Sequence, residues 1–209
     1  QKDYFAFFRG ALLGIAVLLT IALFALYGFR SRAIFLAAGG FALASVGFIA
    51  FEAGHLTLLL ARLPSLQLPP AVIRSLIEGS MAACLVLFLG TLSELRRLSP
   101  MAANTVLVIG AMAFAVPLYG FINPAMAAAV ARGLFGAIAI LGFLLLLILW
   151  RKGEPGIESA LVTWAAILLW AFVAAVALLS DPRGSRMEPV LLAGLGAVLV
   201  VMTFALAHF

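Results

Sequence analysis

Ionisable residues within or beside long apolar runs are the feature of this sequence best able to support chemistry. Six side chains have this setting: Arg9, Glu52, His55, Arg74, Glu78 and Arg132. A charge inside a membrane is costly, so it must meet water, an opposite charge or a ligand. Glu52 and His55 are three residues apart, and Arg74 and Glu78 are four apart. On one helix, each of these spacings would place both side chains on the same face.

Two interpretations of these residues are open. In the first, they pair with one another or snorkel to the membrane surface, and only hold a bundle of helices together. In the second, they line a ligand-binding polar cavity, with Arg9 near its outer edge. Arg74 and Arg132 would then bind an anion, and three residues would be available for a cation or a proton: Glu52, His55 and Glu78.

The spacing from Glu52 to His55 also matches half of a carboxylate-bridged metal site. Such a site needs two Glu-x-x-His motifs and further carboxylates. The sequence has one such motif among its apolar runs, so we predict no metal site.

The composition indicates which elements must position these residues. The chain has 209 residues, of which 66% are hydrophobic and 10% charged, whereas soluble domains average about 45–50% apolar and about 25% charged residues. Seven apolar stretches are each long enough to cross a bilayer core of about 30 Å as a helix. We therefore predict an all-α, polytopic membrane protein in which residues 1–209 form a single seven-helix transmembrane bundle. The predicted spans are 4–29, 33–52, 70–92, 102–121, 126–150, 157–179 and 189–208. Residues 56–69, which are leucine-rich and then proline-rich, are predicted to lie at the membrane interface.

The distribution of cations predicts the orientation. The first, third and fifth connections between spans carry six Lys and Arg residues, and the opposite side carries four: Lys2, Arg62, Arg183 and Arg186. By the positive-inside rule, the N-terminus lies outside and the C-terminus inside. All six candidate residues then fall in the outer half. Because the chain opens at Gln1 rather than at Met, we expect it to be a fragment of a longer protein.

Several classes of protein are excluded or disfavoured. The two lysines, Lys2 and Lys152, lie outside the spans, which excludes a retinal Schiff base, and His55 with His208 cannot supply bis-histidine haem sites. The sequence contains no P-loop, HExxH or GxSxG motif, so we predict neither enzymatic activity of this segment nor a cofactor. Because most cations lie in short turns, no nucleic-acid partner is expected.

The expected partners are the lipid bilayer and an unidentified small ligand or periplasmic protein. The four-residue spacing of Gly10 and Gly14 is compatible with a homodimer, although close packing within one bundle is the favoured interpretation. The same two interpretations apply to four further glycines: Gly133, Gly136, Gly194 and Gly196.

Several segments resemble a known family. Residues 4–16 (YFAFFRGALLGIA), the basic turn 30–32, and the third span from IRSLIE at 73–78 to LVLFL at 85–89 are similar to seven-transmembrane receptors with diverse intracellular signalling modules. The resemblance covers nearly the whole chain. Residues 199–208 also look like the last helix that, in some proteobacterial members, leads into GGDEF or EAL cyclic di-GMP domains.

This resemblance implies a sensory membrane module in a bacterial cytoplasmic membrane. It would detect a periplasmic or membrane-embedded cue and regulate a cytoplasmic output domain. Two other functions stay open: a small transporter or permease using the charged half as a substrate vestibule, and a structural or assembly subunit of a membrane complex. A downstream signalling domain would support the first function, and a stop codon near Phe209 the others.

Overall fold

The computed structural model describes residues 2–62, 68–92, 100–153, 157–180 and 188–207. These residues form helices and short turns, with no strand among them. The described helices are α1 (Lys2–Arg30), α2 (Ala33–Glu52), α3 (His55–Ala61), α4 (Pro70–Leu92), α5 (Pro100–Tyr119), α6 (Pro124–Arg151), α7 (Ile157–Ser180) and α8 (Glu188–Ala207). Each long helix begins and ends within two residues of the corresponding predicted span.

Six of the described helices are long and apolar enough to cross a membrane: α1, α2, α4, α6, α7 and α8. Helix α5 contributes a shorter apolar segment, Ala103–Tyr119. The predicted helical membrane bundle is therefore confirmed.

The helices pack in a ring around a shared core. Helix α4 packs against α2, α5 and α6, and the contacts continue from α6 to α7, α8, α1 and back to α2. Helix α5 lies outside this ring, mainly against α4 and α6. The largest fully buried side chains include Phe35, Phe41, Phe88 and Trp164. The other fully buried large side chains are leucines and isoleucines, so the core combines aromatic and aliphatic residues.

The segment predicted at the interface begins as the short helix α3. Gly54 separates it from α2 and has a φ of +78°, a left-handed conformation that glycine adopts without strain. Leu58 and Leu59 of α3 are exposed. Residues 63–67 of the predicted segment lie outside the described residues.

Glycines permit close contact between helices at several points. A Cβ at Gly79 of α4 would lie 2.8 Å from the ring of Pro117 in α5, and a Cβ at Gly142 of α6 would overlap the Trp164 ring of α7. By contrast, no described atom lies within 4 Å of a Cβ built on Gly10 or Gly14. Close packing within the bundle is thus observed at Gly194 and Gly196, where a built Cβ would lie 2.8 Å from Trp170 and 3.1 Å from Leu12, and not at Gly10 and Gly14.

Candidate charged cluster and adjoining cavity

Six charged side chains gather at one end of the bundle, where α1, α4, α6 and α8 begin and α2 ends. We call this set the charged cluster and its location the charged end. Five members were predicted from the sequence and Glu188 was not. The cluster consists of Arg9, Glu52, Arg74, Glu78, Arg132 and Glu188.

Glu78 is the centre of the cluster. Its side chain is only 9% exposed, and both carboxylate oxygens accept hydrogen bonds. Oε1 accepts from Arg74 Nε at 3.0 Å and from Arg132 Nη2 at 2.9 Å, while Oε2 accepts from Arg132 Nε at 2.8 Å. The bidentate contact joins α4 to α6, since Glu78 lies on the first helix and Arg132, 54 positions later, on the second. Charge-assisted, bidentate bonds of this kind are the strong ones.

Arg74 extends the cluster to α2. Its Nη2 lies 3.1 Å from Oε1 of Glu52, the last residue of that helix. Oε1 of Glu52 is buried and has no hydrogen-bond partner among the described atoms, so this contact is an ion pair without hydrogen-bond geometry. One arginine thus divides its charge between two carboxylates on different helices.

A second ion pair joins α1 to α8. Arg9 Nη2 lies 2.7 Å from Oε1 of Glu188, the first residue of α8. Glu188 and Glu52 are both negatively charged, so their carboxylates repel each other. The Arg9–Glu188 pair is therefore coupled electrostatically to the rest of the cluster.

A cavity of about 170 Å³ lies beside three members of the cluster, Arg74, Glu78 and Arg132. Its other lining residues are apolar. They are Phe48, Met81, Ala131, Phe135, Gly136, Trp170, Ala171, Ala174, Ala175 and Leu191. The cavity thus has one charged side and an otherwise aromatic and aliphatic surface.

The aromatic side of the cavity is held in place by contacts between helices. Trp170 Nε1 donates a hydrogen bond of 2.9 Å to the carbonyl oxygen of Leu191. The Trp170 ring meets Phe135 and Phe48 edge-to-face, with centroid separations of 5.5 and 6.4 Å. These are favoured geometries for aromatic pairs. Four helices, α2, α6, α7 and α8, are joined through this one tryptophan.

Comparison with known families identifies the type of protein to which this site belongs. The family model for 7TM diverse intracellular signalling matches residues 5–208. The chain belongs to this family. No curated protein and no solved structure gives a significant match. The resemblance predicted from the sequence is confirmed, and the chain is a multi-pass membrane module of the sensory, signal-transducing type.

In this 7TM signalling module, His55 stands apart from the cluster. Helix α2 ends at Glu52 and His55 begins α3, so the prediction that both share one helix face is wrong. Gly54, in its left-handed conformation, separates the two helices. His55 is exposed, and no described ion pair or hydrogen bond joins it to Glu52.

Glu188 is the cluster member that sequence reasoning missed. It directly precedes the last predicted span, 189–208. A carboxylate at a helix N-terminus is favourable, and the predicted topology already placed Glu188 on the same side as Arg9. Together these two signals could have identified the pair.

Few polar residues are buried in the described part of the 7TM signalling module. The buried polar residues there are Glu78 and four hydroxyl residues. Each hydroxyl donates to a carbonyl oxygen of its own helix, three or four residues earlier: Thr20, Ser45, Ser75 and Thr163. Glu78 is thus the one buried ionisable side chain among the described residues.

Proposed function

We propose that this module detects an external cue at its charged end and transmits it through α8 to a cytoplasmic output domain. The cation count supports an orientation in a bacterial cytoplasmic membrane with the N-terminus and the charged end outside. The resemblance of residues 199–208 to helices that precede GGDEF or EAL domains supports cyclic di-GMP turnover as the output.

The observation that carries this proposal is the position of Glu78 between two arginines at the edge of a cavity. Glu78 is nearly buried, and both Arg74 and Arg132 also line the cavity. An anionic ligand beside either guanidinium competes with Glu78 and Glu52 for the positive charge of the two arginines. Because the ion pairs join α2, α4 and α6, such a ligand binds one arrangement of these helices better than another and shifts their populations.

The contacts of α8 provide a route for the signal. Helices α1 and α8 are joined at the charged end by the Arg9–Glu188 ion pair of 2.7 Å. At the opposite end, Arg30 Nη1 donates to the carbonyl oxygen of Ala207 at 3.4 Å. When a ligand draws Arg74 away from Glu52, the Glu52 carboxylate loses its positive neighbour and repels Glu188 more strongly. This repulsion acts on the first residue of α8.

The distribution of polar groups favours a sensor over the two alternatives. A transporter needs polar groups that continue towards the opposite side, but the buried hydroxyls of the described residues are bonded within their own helices. A structural subunit needs no cavity beside its ion pairs. A charged site confined to one end, with a cavity next to it, fits the detection of a cue that arrives from that side.

Accessibility to a thiol reagent tests the proposal. In a Cys84→Ser background, Ala174→Cys places a thiol on the cavity lining, and Lys152→Cys places one at an exposed position at the opposite end of the bundle. Cells with a permeabilised outer membrane are treated with a membrane-impermeant maleimide. We expect Ala174→Cys to be labelled and Lys152→Cys to be protected until the inner membrane is opened. Labelling of Lys152→Cys alone, or protection of both, would contradict detection from outside.

A further inference from the structure

We propose that the cavity binds a small organic anion, namely a carboxylate attached to an apolar body about the size of one ring. This inference deepens the proposed function and rests on it. It is carried by three properties of the cavity: its volume, its free hydrogen-bonding groups and its apolar surface.

The volume limits the size of the ligand. The cavity measures about 170 Å³, and an apolar protein cavity of about 150 Å³ accommodates a benzene molecule. There is therefore room for one six-membered ring or a short aliphatic chain next to the charged side.

The hydrogen-bonding groups at the charged side favour an anion. Each guanidinium has five N–H donors; Arg132 uses Nε and Nη2 on Glu78, and Arg74 uses Nε. Neither Nη1 group has a described hydrogen bond, and the two arginine side chains are 38% and 40% exposed. Glu78, the carboxylate on the cavity lining, already accepts three hydrogen bonds. The hydrogen-bonding groups that stay free at the charged side are therefore mostly donors. Donors suit a carboxylate, whereas an ammonium group needs acceptors.

The remaining surface favours an apolar body. Phe48, Phe135 and Trp170 supply aromatic faces and edges, and the neighbouring lining residues are mostly alanines. The indole N–H of Trp170 is already bonded to the Leu191 carbonyl. A sugar or another polyhydroxylated body would lose water here without finding partners, which costs free energy. An aromatic or aliphatic body would be packed favourably.

Such a ligand has two sources with the same chemistry, a water-soluble aromatic acid and a fatty acid dissolved in the membrane. Benzoate represents the first and hexanoate, a short-chain fatty acid, the second. Two probes of similar size vary only the charge: benzyl alcohol is neutral and benzylamine is cationic at neutral pH.

The binding test uses the 209-residue chain in lipid nanodiscs, with the thermal unfolding midpoint and tryptophan fluorescence as readouts. A ligand that binds only the folded state raises the midpoint in a saturable way. We expect benzoate or hexanoate to do so, and benzylamine to have no effect at the same concentration. Saturable stabilisation by hexanoate alone would identify fatty acids as the source, within the same ligand class.

Variants that fill the cavity make the test specific to this site. No described atom lies within 4 Å of a Cβ built on Gly136 or Gly133, but only Gly136 lines the cavity. We expect Gly136→Leu to weaken binding of the anion at least tenfold, and Gly133→Leu, on the same helix, to leave it within twofold. Ala175→Leu fills the cavity from α7 and should act like Gly136→Leu.

Three results would overturn the inference. They are equal stabilisation by benzylamine, unchanged binding of the anion in Gly136→Leu and Ala175→Leu, and no stabilisation by either benzoate or hexanoate. If binding fails while Ala174→Cys is still labelled from outside, the ligand class is wrong and the sensory proposal stands. If binding succeeds while that labelling fails, the ligand class stands and external detection is wrong.

Discussion

Replacing Glu78 with glutamine removes the negative charge at the centre of the cluster and keeps the shape of the side chain. The variant leaves Arg132 without an anionic partner, whereas Arg74 keeps its ion pair with Glu52. Breaking a buried ion pair costs about 3–5 kcal/mol. The arginines here are more than a third exposed, so water compensates for part of the loss. We expect Glu78→Gln to lower the free energy of unfolding by about 2–3 kcal/mol.

Reversible unfolding in mixed micelles with increasing dodecyl sulfate measures this free energy. Glu158→Gln is the matched control, because Glu158 is an exposed carboxylate in the first turn of α7. Its favourable interaction with the helix N-terminus is worth about 0.3–1 kcal/mol. The control should therefore be clearly milder than Glu78→Gln.

A double variant separates the loss of charge pairing from the loss of packing. Glu78→Gln combined with Arg132→Gln removes the arginine that the single change leaves unpaired. We expect the double variant to be more stable than Glu78→Gln alone, with a coupling of about 1 kcal/mol or more. The reasoning would be refuted if Glu78→Gln cost no more than Glu158→Gln, or if the two changes were strictly additive.

Three further predictions concern packing, topology and output. Gly142→Ala places a methyl group against the Trp164 ring and should cost about 1–3 kcal/mol by overpacking, whereas Gly133→Ala should be neutral or slightly stabilising in the same unfolding assay. Reporter fusions after residues 97 and 209 should be cytoplasmic and one after residue 185 external; a periplasmic signal from the fusion after residue 209 would invert the proposed orientation. In a protein that carries the proposed cyclic di-GMP output domain after this module, Glu188→Gln should change the basal output, since it breaks the ion pair between α1 and α8, whereas Glu158→Gln should not; equal output from both variants would argue against transmission through α8.

The spans could be predicted from sequence because a membrane helix needs only a long apolar run bounded by charges, prolines or glycines. Arg74 and Glu78 could be paired in advance because four residues separate them on one helix. The same reasoning failed for Glu52 and His55, where Gly54 ends α2 between them. Gly54 can be recognised in the sequence as a residue that often ends helices. Its left-handed conformation cannot be read from the sequence.

The contacts between helices could not be predicted in the same way. Glu78 and Arg132 are 54 residues apart, and they meet only because α4 and α6 turn particular faces towards each other. Helices that are apolar all round contain little information about that rotation. The cavity forms only when five helices adopt particular rotations about their axes. Its aromatic lining therefore could not be predicted from the sequence either.

The coupling of the charged cluster to α8 is the central claim, and one distance measurement tests it most directly. Spin labels at Phe29→Cys of α1 and Phe204→Cys of α8, both exposed positions, report on these helices at the end opposite the cluster in a Cys84→Ser background. Arg74→Gln removes the positive neighbour of Glu52 and so imitates a ligand that draws this arginine away. Pulsed dipolar spectroscopy in nanodiscs should show a shifted distance distribution in Arg74→Gln and an unchanged one in Glu158→Gln. Identical distributions in both variants and the parent protein would contradict transmission from the cluster to α8.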